Sequence, residues 1–237
     1  IMQPTYLPWI GFFDLIDAVD IFVLLDNVKV EKSSWQTRNR LRSSSGEVLL
    51  TVPISTPKGS LYTLINEATI DYKKPWIKKH LRTIEQNYSK SIFFPYFYPN
   101  VERILNEKYV YLSDLNAELI STMCSYIGIK TKILKASALP NFKEVKQERL
   151  LSICQHLKVN EYYSPKGSAV YLDEGKHGGI LSDHNIKVIY QDFVTLEYKQ
   201  RFSPFIAYLS AIDVIFNLGA KKTKQLIENG RNSIFQD

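Results

Sequence analysis

Cysteine and histidine are scarce in this sequence, which has two cysteines and four histidines in 237 residues. Cys124 and Cys154 each stand in an apolar, helix-like stretch, where a free cysteine packs as a small hydrophobic residue. Two such cysteines exclude a disulfide-rich scaffold. The cysteines and histidines also lack the spacing of a zinc module, so we predict no metal site.

Long apolar runs and long cationic runs are missing as well. No stretch reaches the roughly 20 apolar residues of a membrane-spanning helix, and no signal peptide is visible, so we expect a cytoplasmic protein. The formal net charge is +6 and the pI is about 9.1, which favours acidic partners. Because the Lys and Arg residues are dispersed, nucleic acid is disfavoured, and nucleotide phosphates or anionic sugars fit better.

Apolar runs with strand and helix periodicity alternate along most of the chain. We expect Ile1 and Met2 to end a first strand, a helix to begin near Pro8, and residues 21–25 to form a buried strand. Residues 38–54 predict a hairpin, and residues 205–218 an apolar helix. The predicted fold is α/β, with a mixed, mostly parallel, Rossmann-like sheet and helices on both faces. We predict one domain over residues 1–237, with a helical segment at about 98–128.

The loop after the first strand contains polar and aromatic residues. Gln3, Thr5 and the backbone N–H groups near Gly11 could meet a phosphate at the start of the helix. The glycine fingerprint of dinucleotide-binding folds is missing from this loop. An alternative interpretation is a proline-rich turn in which Tyr6 and Trp9 fill the core.

The loop after the second strand is richer in chemical groups. An arginine fork suits phosphate or carboxylate, and a tryptophan face suits a base or a sugar ring. Strand alternation would place Arg38 and Arg40 on one face. The alternative is a hairpin whose charges are simply solvated. The residues concerned are Asp26, Lys32, Trp35, Arg38, Asn39 and Arg40.

Several polar residues elsewhere stand in apolar surroundings. Asp213 interrupts an apolar helical run and therefore needs a partner or a pocket. Gln200 is a similar polar outlier. The turn that begins at Ser164 has the composition of a phosphate-contacting loop or of a surface turn. His80 lies beside an apolar helix stripe, where it is either a core-edge histidine or a proton acceptor.

These residues together resemble the WbqC-like protein family. Shorter matches occur at Trp76-x-x-Lys79-His80, at Tyr163-Ser164, at Tyr198-x-Gln200, and between Leu209 and Gly219. The resemblance covers nearly the whole chain. Its most specific motifs are Gln3-Pro4-x-Tyr6-Leu7-Pro8-Trp9-x-Gly11-x-Phe13, Asp20-x-Phe22-Val23-x-Leu25-Asp26 and Trp35-x-x-Arg38-Asn39-Arg40.

The resemblance implies a function in bacterial surface-polysaccharide (O-antigen) biosynthesis. It suggests a transferase that moves an acyl or aminoacyl group to a nucleotide-linked amino sugar. A nucleotidyltransferase-like enzyme using an NTP and a noncatalytic sugar-nucleotide-binding scaffold are the alternatives. The expected partners are a nucleotide-linked sugar, or another phosphate-bearing small molecule, and an acyl or aminoacyl donor; the sequence identifies no cofactor.

The predicted site combines both loops with the scattered polar residues. Lys32, Arg38 and Arg40 would hold phosphates, and Asp26 or His80 would accept a proton. The full set of predicted substrate-binding residues is Gln3, Thr5, Tyr6, Trp9, Lys32, Trp35, Arg38, Asn39, Arg40, Ser164, Gln200 and Asp213.

Overall fold

Helices and short strands alternate along the chain in a computed structural model that describes residues 1–59, 61–173 and 175–232. The strands are β1 (Ile21–Leu24), β2 (Arg38–Ser43), β3 (Gly46–Thr51), β4 (Ile54–Ser55), β5 (Thr69–Ile70), β6 (Lys132–Lys135), β7 (Glu161–Ser164) and β8 (Lys187–Tyr190). The helices are α1 (Ile10–Asp17), α2 (Trp76–Tyr88), α3 (Phe94–Asn106), α4 (Leu112–Ile127), α5 (Lys146–Leu157), α6 (Ala169–Leu172), α7 (Gly179–Asp183) and α8 (Ala211–Gly230). Short 3-10 turns occupy Ala136–Ala138 and Lys166–Ser168.

The described strands pair two by two. β1 with β6 and β7 with β8 are parallel, whereas β2 with β3 and β4 with β5 are antiparallel. Met2 adds a parallel bridge to β1, since the Met2 N–H donates to the Val23 carbonyl at 2.9 Å and the Leu25 N–H donates to the Met2 carbonyl at 2.7 Å. The predicted mixed α/β fold is therefore confirmed. The described strands form four small sheets, in which parallel pairing is half of the total, rather than one mostly parallel Rossmann-like sheet.

The first helix is short and almost wholly buried. Its residues Ile10 to Ile16 are all buried, as in a helix that packs on every side. Pro8 precedes it, and proline is compatible with the entry to a helix but not with its interior. This helix follows directly from the first loop and therefore fixes where that loop lies.

The principal core is formed by α1, α2, α3, α4 and α8 together with β1 and the hairpin. A second, smaller core lies between α5, β7 and β8. The helical segment predicted at about 98–128 corresponds to α3 and α4. α3 begins earlier, at Phe94, because Pro95 is tolerated in a first turn. The division of the chain into one domain stays a prediction, and residues 233–237 lie outside the described part.

The last helix begins later than the sequence indicates. Residues 205–209 are irregular, and α8 starts at Ala211 and is kinked at Gly219, whose φ is 74°. The Ser210 N–H donates to the Arg40 carbonyl and the Ala211 N–H to the Pro8 carbonyl, at 2.9 and 2.7 Å. These long-range bonds hold the end of the irregular segment against the first loop and the hairpin.

Among the described helices, none has both the length and the apolar character needed to cross a bilayer.

Candidate ligand-binding site

A cavity of about 310 Å³ lies between the first loop, the hairpin and the segment before α8. We call it the aromatic cavity. It brings together five residues predicted from the sequence and three that were not. The predicted ones are Thr5, Trp9, Trp35, Asn39 and Arg40, and the others are Met2, Phe12 and Tyr208.

Three large aromatic side chains form the walls of the aromatic cavity. The ring centroids of Trp9 and Tyr208 are 5.4 Å apart and their planes are inclined by 60°. Trp35 is 49% exposed, which is unusual for such a large apolar side chain. Gly11 makes room for the Trp9 indole, since a Cβ at Gly11 would lie 2.1 Å from it. Exposed aromatic faces of this kind suit a flat or ring-shaped ligand.

Arg40 connects the walls of the cavity to each other. Its Nη1 donates to both carboxylate oxygens of Glu47 at 3.0 Å, and its Nη2 donates to the Tyr208 carbonyl at 3.2 Å. Its guanidinium also lies 5.4 Å from the centroid of the Trp35 ring. Because Glu47 already pairs with its charge, Arg40 contributes more to the shape of the cavity than to its net charge.

Of the nine predicted residues outside this lining, two are exposed, Arg38 is half-buried and the other six are buried. Gln3 is exposed and accepts a hydrogen bond from Gln36 Nε2 at 2.8 Å. Lys32 is exposed, and Arg38 lies two residues before Arg40 on the same face of β2. Within the described residues, the side chains of Lys32 and Arg38 have neither a hydrogen bond nor an ion pair, so both are available to an anion.

Amide side chains hold the first loop in place. Asn39 Nδ2 donates to the carbonyls of Tyr6 and Leu7 at 3.2 and 2.7 Å. Asn116 Nδ2 donates to the Pro4 carbonyl at 3.2 Å. Leu7 has a φ of 44°, a conformation that costs free energy for a leucine and needs such support. The predicted residue Asn39 therefore both lines the cavity and fixes the loop above it.

Tyr6 and His80 form a buried pair behind the loop rather than part of the cavity wall. The Tyr6 hydroxyl is 2.9 Å from His80 Nδ1, and both side chains are almost fully buried. Desolvation lowers the pKa of His80 to about 4, against a smaller opposing effect of a hydrogen bond with the Thr51 backbone. Burial likewise raises the pKa of Tyr6. The imidazole is therefore neutral at physiological pH.

Asp26 is also buried, just beyond the end of β1. Its carboxylate accepts hydrogen bonds from Ser113 Oγ at 3.0 Å, from the Ser137 N–H at 2.8 Å and from Ser137 Oγ at 2.7 Å. These bonds tie β1 to α4 and to the turn after β6. Ser164, at the end of β7, is fully buried as well. Neither residue lines the aromatic cavity.

Asp213 has partners on three sides. Its Oδ1 accepts a hydrogen bond from the Tyr88 hydroxyl at 2.7 Å, and its Oδ2 accepts from the Tyr198 hydroxyl at 2.5 Å and from Gln200 Nε2 at 3.2 Å. Burial raises the pKa of Asp213, and these hydrogen bonds oppose the rise. The Gln200 side chain also forms two hydrogen bonds with the backbone of Ile206: it donates to the Ile206 carbonyl and accepts from the Ile206 N–H. This network anchors the segment that leads to Tyr208.

Comparison with known proteins gives one family. The model of the WbqC-like protein family matches residues 3–225. The chain belongs to the WbqC-like protein family. It is also 35% identical over 223 residues to Uncharacterized protein Rv1507c of Mycobacterium tuberculosis, a match that covers 93% of this chain and 94% of that protein. No solved structure matches.

In this WbqC-like chain, residues from the sequence motifs of the first two loops line the aromatic cavity. Of the three lining residues that sequence reasoning missed, Tyr208 is the most distant in the chain, and its carbonyl accepts a hydrogen bond from a side chain 168 positions earlier. No local pattern marks Tyr208, although an aromatic residue with a φ of 58° is unusual. In the described part of this WbqC-like chain, no three His, Cys, Asp or Glu residues are grouped so that they could hold a metal ion.

Proposed function

We propose that this protein is a cytoplasmic transferase of bacterial surface-polysaccharide (O-antigen) biosynthesis, and that it moves an acyl or aminoacyl group to a nucleotide-linked amino sugar. The aromatic cavity binds a ring of that substrate. The observation that carries the proposal is the cavity itself, in which Trp9, Trp35 and Tyr208 present aromatic faces beside Thr5 and Asn39. A volume of about 310 Å³ is at the lower end of ligand pockets and suits one ring-sized group.

The phosphates of the substrate lie at the edge of the cavity, beside Arg38 and Lys32. Both cations lack ion-pair partners within the described residues, and Arg38 shares a strand face with Arg40 of the lining. An arginine that is not already paired binds phosphate with its planar fork. The aromatic cavity and the two cations together would bind a nucleotide-linked sugar more tightly than either would alone.

The buried predicted residues position this site. Asp26 fixes the end of β1, and the Tyr6–His80 pair supports the first loop from behind. Asp213 and Gln200 anchor the segment that carries Tyr208. Because an acyl transfer to an amine depends mainly on the placement of the two reactants, residues that hold the cavity in shape contribute to the rate without touching the substrate.

A noncatalytic sugar-nucleotide-binding scaffold is the second candidate. It is favoured by one observation: among the described residues that line the aromatic cavity, none is a histidine, an aspartate, a glutamate, a cysteine or a lysine. The described lining therefore supplies none of these as a general base, and its only phenol is that of Tyr208. The two candidates share the ligand and differ only in turnover.

Binding and turnover separate the two candidates. Isothermal titration with UDP-linked amino sugars should give saturable binding, and Trp35→Ala should weaken it by about tenfold or more, since stacking on an aromatic ring is worth about 1–3 kcal/mol. Trp35→Phe keeps an aromatic face and should retain most of the affinity. Tyr96→Ala, which removes an exposed aromatic ring outside the cavity, is the matched control and should bind like the wild type.

Equal affinity of the wild type and Trp35→Ala for every nucleotide sugar would overturn the proposed site. For turnover, the protein is incubated with an acyl thioester and the bound amino sugar, and the acylated sugar is detected by its mass. Binding without a mass change supports the scaffold, and release of pyrophosphate from an NTP would indicate nucleotidyl transfer instead.

A further inference from the structure

A second cavity of about 460 Å³ lies at the carboxyl end of the β1–β6 pair. We call it the basic cavity. Leu25 and Asn27 follow β1, Asn141 follows β6, and Arg149 is in the first turns of α5. Ligands of open α/β sheets bind beyond the carboxyl ends of parallel strands. None of the described residues that line the aromatic cavity lines this one.

Within the part of the chain that the structure describes, no acidic side chain compensates the charge of the basic cavity. Lys29, Lys146 and Arg149 line it, and among the described residues no aspartate or glutamate does. Within the described residues, none of these three cations forms an ion pair, whereas Arg40, Arg103, Lys224 and others elsewhere do. Three unpaired positive charges around one concave surface attract an anion.

Arg149 is fixed in place by backbone groups rather than by an acid. Its Nε donates to the Glu144 carbonyl at 2.7 Å and its Nη1 donates to the Asn27 carbonyl at 3.1 Å. Among the described residues, nothing accepts a hydrogen bond from its Nη2. A guanidinium that is held in this way loses little side-chain entropy when it binds phosphate.

Asn27 adds a requirement for a hydrogen-bond donor. Its Oδ1 is buried and has no hydrogen-bond partner in the described part of the chain. A buried polar atom without a partner costs free energy that a ligand hydroxyl or amide N–H can recover. The cavity also contains apolar side chains, among them Val28, Leu64 and Tyr171, which suit the body of a ligand larger than an inorganic ion.

We propose that the basic cavity is a second ligand site, which binds a phosphate-bearing molecule that also carries hydroxyl or amide donors. Nucleoside diphosphates and coenzyme A share this chemistry. The inference does not depend on the proposed transfer reaction, because among the described residues the two cavities have no lining residue in common.

Titration calorimetry of the full chain at low salt tests the site with UDP, coenzyme A and uridine as probes. All measurements are made in the wild type and in Trp35→Ala, so that binding in the aromatic cavity is separated from binding here. We expect UDP, coenzyme A or both to bind, with uridine much weaker. Arg149→Ala should weaken that binding by about tenfold or more, as expected for a charged hydrogen bond, and added salt should weaken it further.

Lys29→Glu is the second variant, because Arg149 also holds two backbone carbonyls and its loss could affect folding. Lys29 is exposed, and its side chain forms no hydrogen bond or ion pair in the described structure. A loss of binding in Lys29→Glu would therefore be an electrostatic effect. Lys90→Ala removes an exposed charge outside the cavity and should bind like the wild type. Binding of UDP only identifies a nucleotide site, and binding of coenzyme A only identifies an acyl-carrier site. No binding of either probe, or binding that Arg149→Ala and Lys29→Glu leave unchanged, overturns the proposal.

Discussion

The imidazole of His80 is 2% exposed, and its Nδ1 lies 2.9 Å from the Tyr6 hydroxyl. Its pKa of about 4 is well below the usual histidine value of about 6.5, so protonation opposes folding. The folded state is stabilised as long as His80 is neutral in the unfolded chain as well. This contribution to the unfolding free energy is fully present above pH 6.5 and is lost as the pH falls through the folded-state pKa of about 4. The wild type should therefore lose roughly 2 kcal/mol of unfolding free energy between pH 7 and pH 5 through this residue alone.

His80→Gln is the variant that isolates this effect, since its amide can still pair with Tyr6 and Thr51 but does not titrate. Urea unfolding at pH 7 and pH 5 gives the two free energies for each protein. The difference between the two pH values should be smaller in His80→Gln by that amount. If both proteins lose the same stability, then His80 takes up a proton in the folded protein as readily as in the unfolded chain, and it is not held as a neutral base behind the first loop.

Residues 198–210 have no regular secondary structure, yet they carry Tyr208 to the aromatic cavity. Gln200 holds this segment, because its amide bonds to both backbone groups of Ile206 and to Asp213. Gln200→Ala should release the segment and weaken the binding of a ring-containing ligand several-fold, although Gln200 does not line the cavity. Amide hydrogen exchange should rise in residues 198–208, where the freed backbone groups are.

Asn106→Ala is a suitable control for this element, because Asn106 Nδ2 also donates to a backbone carbonyl, that of Glu102 on α3, and bonds to no residue of 198–208 in the described structure. It should change neither the affinity nor the exchange of residues 198–208. An unchanged affinity in Gln200→Ala, with increased exchange, would show that the position of Tyr208 does not matter for the ligand. Unchanged exchange would show that the segment is held by other contacts.

At the scale of the whole molecule, the end of α8 is tied to α1 across nearly the full length of the chain. Arg231 Nε donates to Asp14 Oδ1 at 2.6 Å, and its Nη2 donates to Asp17 Oδ2 at 2.9 Å. Asp14 is fully buried. Arg231→Ala would leave that carboxylate without a cationic partner, and we expect a loss of about 3–5 kcal/mol in unfolding free energy by urea denaturation.

Arg103→Ala is the matched control, because Arg103 pairs with Glu107 on the surface and its side chain is 50% exposed, against 21% for Arg231. An exposed pair contributes about 1 kcal/mol or less. Similar effects of the two substitutions would mean that Asp14 is stabilised by Tyr163 and Gln191 alone, which also hydrogen-bond its Oδ2.

Most helices and strands could be predicted because their signals are local. Continuous apolar residues predict β1, proline marks the entries to α1 and α2, and Gly128, with a φ of 88°, ends α4 as expected. The start of α8 could not be predicted. An apolar sequence favours a helix from residue 205, but the hydrogen bonds from Ser210 to Arg40 and from Gln200 to Ile206 are tertiary contacts that no periodicity records.

The same distinction holds for the candidate site. Trp9, Trp35, Asn39 and Arg40 could be predicted because polar and aromatic residues follow a strand there, and such residues meet where neighbouring strands end. Tyr6 could not be separated from them by its sequence context, and only its burial against His80 shows that it faces the core. Tyr208 lies too far along the chain for any local pattern to connect it with Arg40.

By itself the sequence determined the alternation of strands and helices, the family, and the two loops that carry most of the candidate site residues. The tertiary structure alone decided which of those side chains face a cavity, which are buried as supports, and how the strands divide into small sheets. The reason is physical: propensity and periodicity act over a few residues, whereas burial, charge pairing and strand partners depend on groups that are distant in the chain.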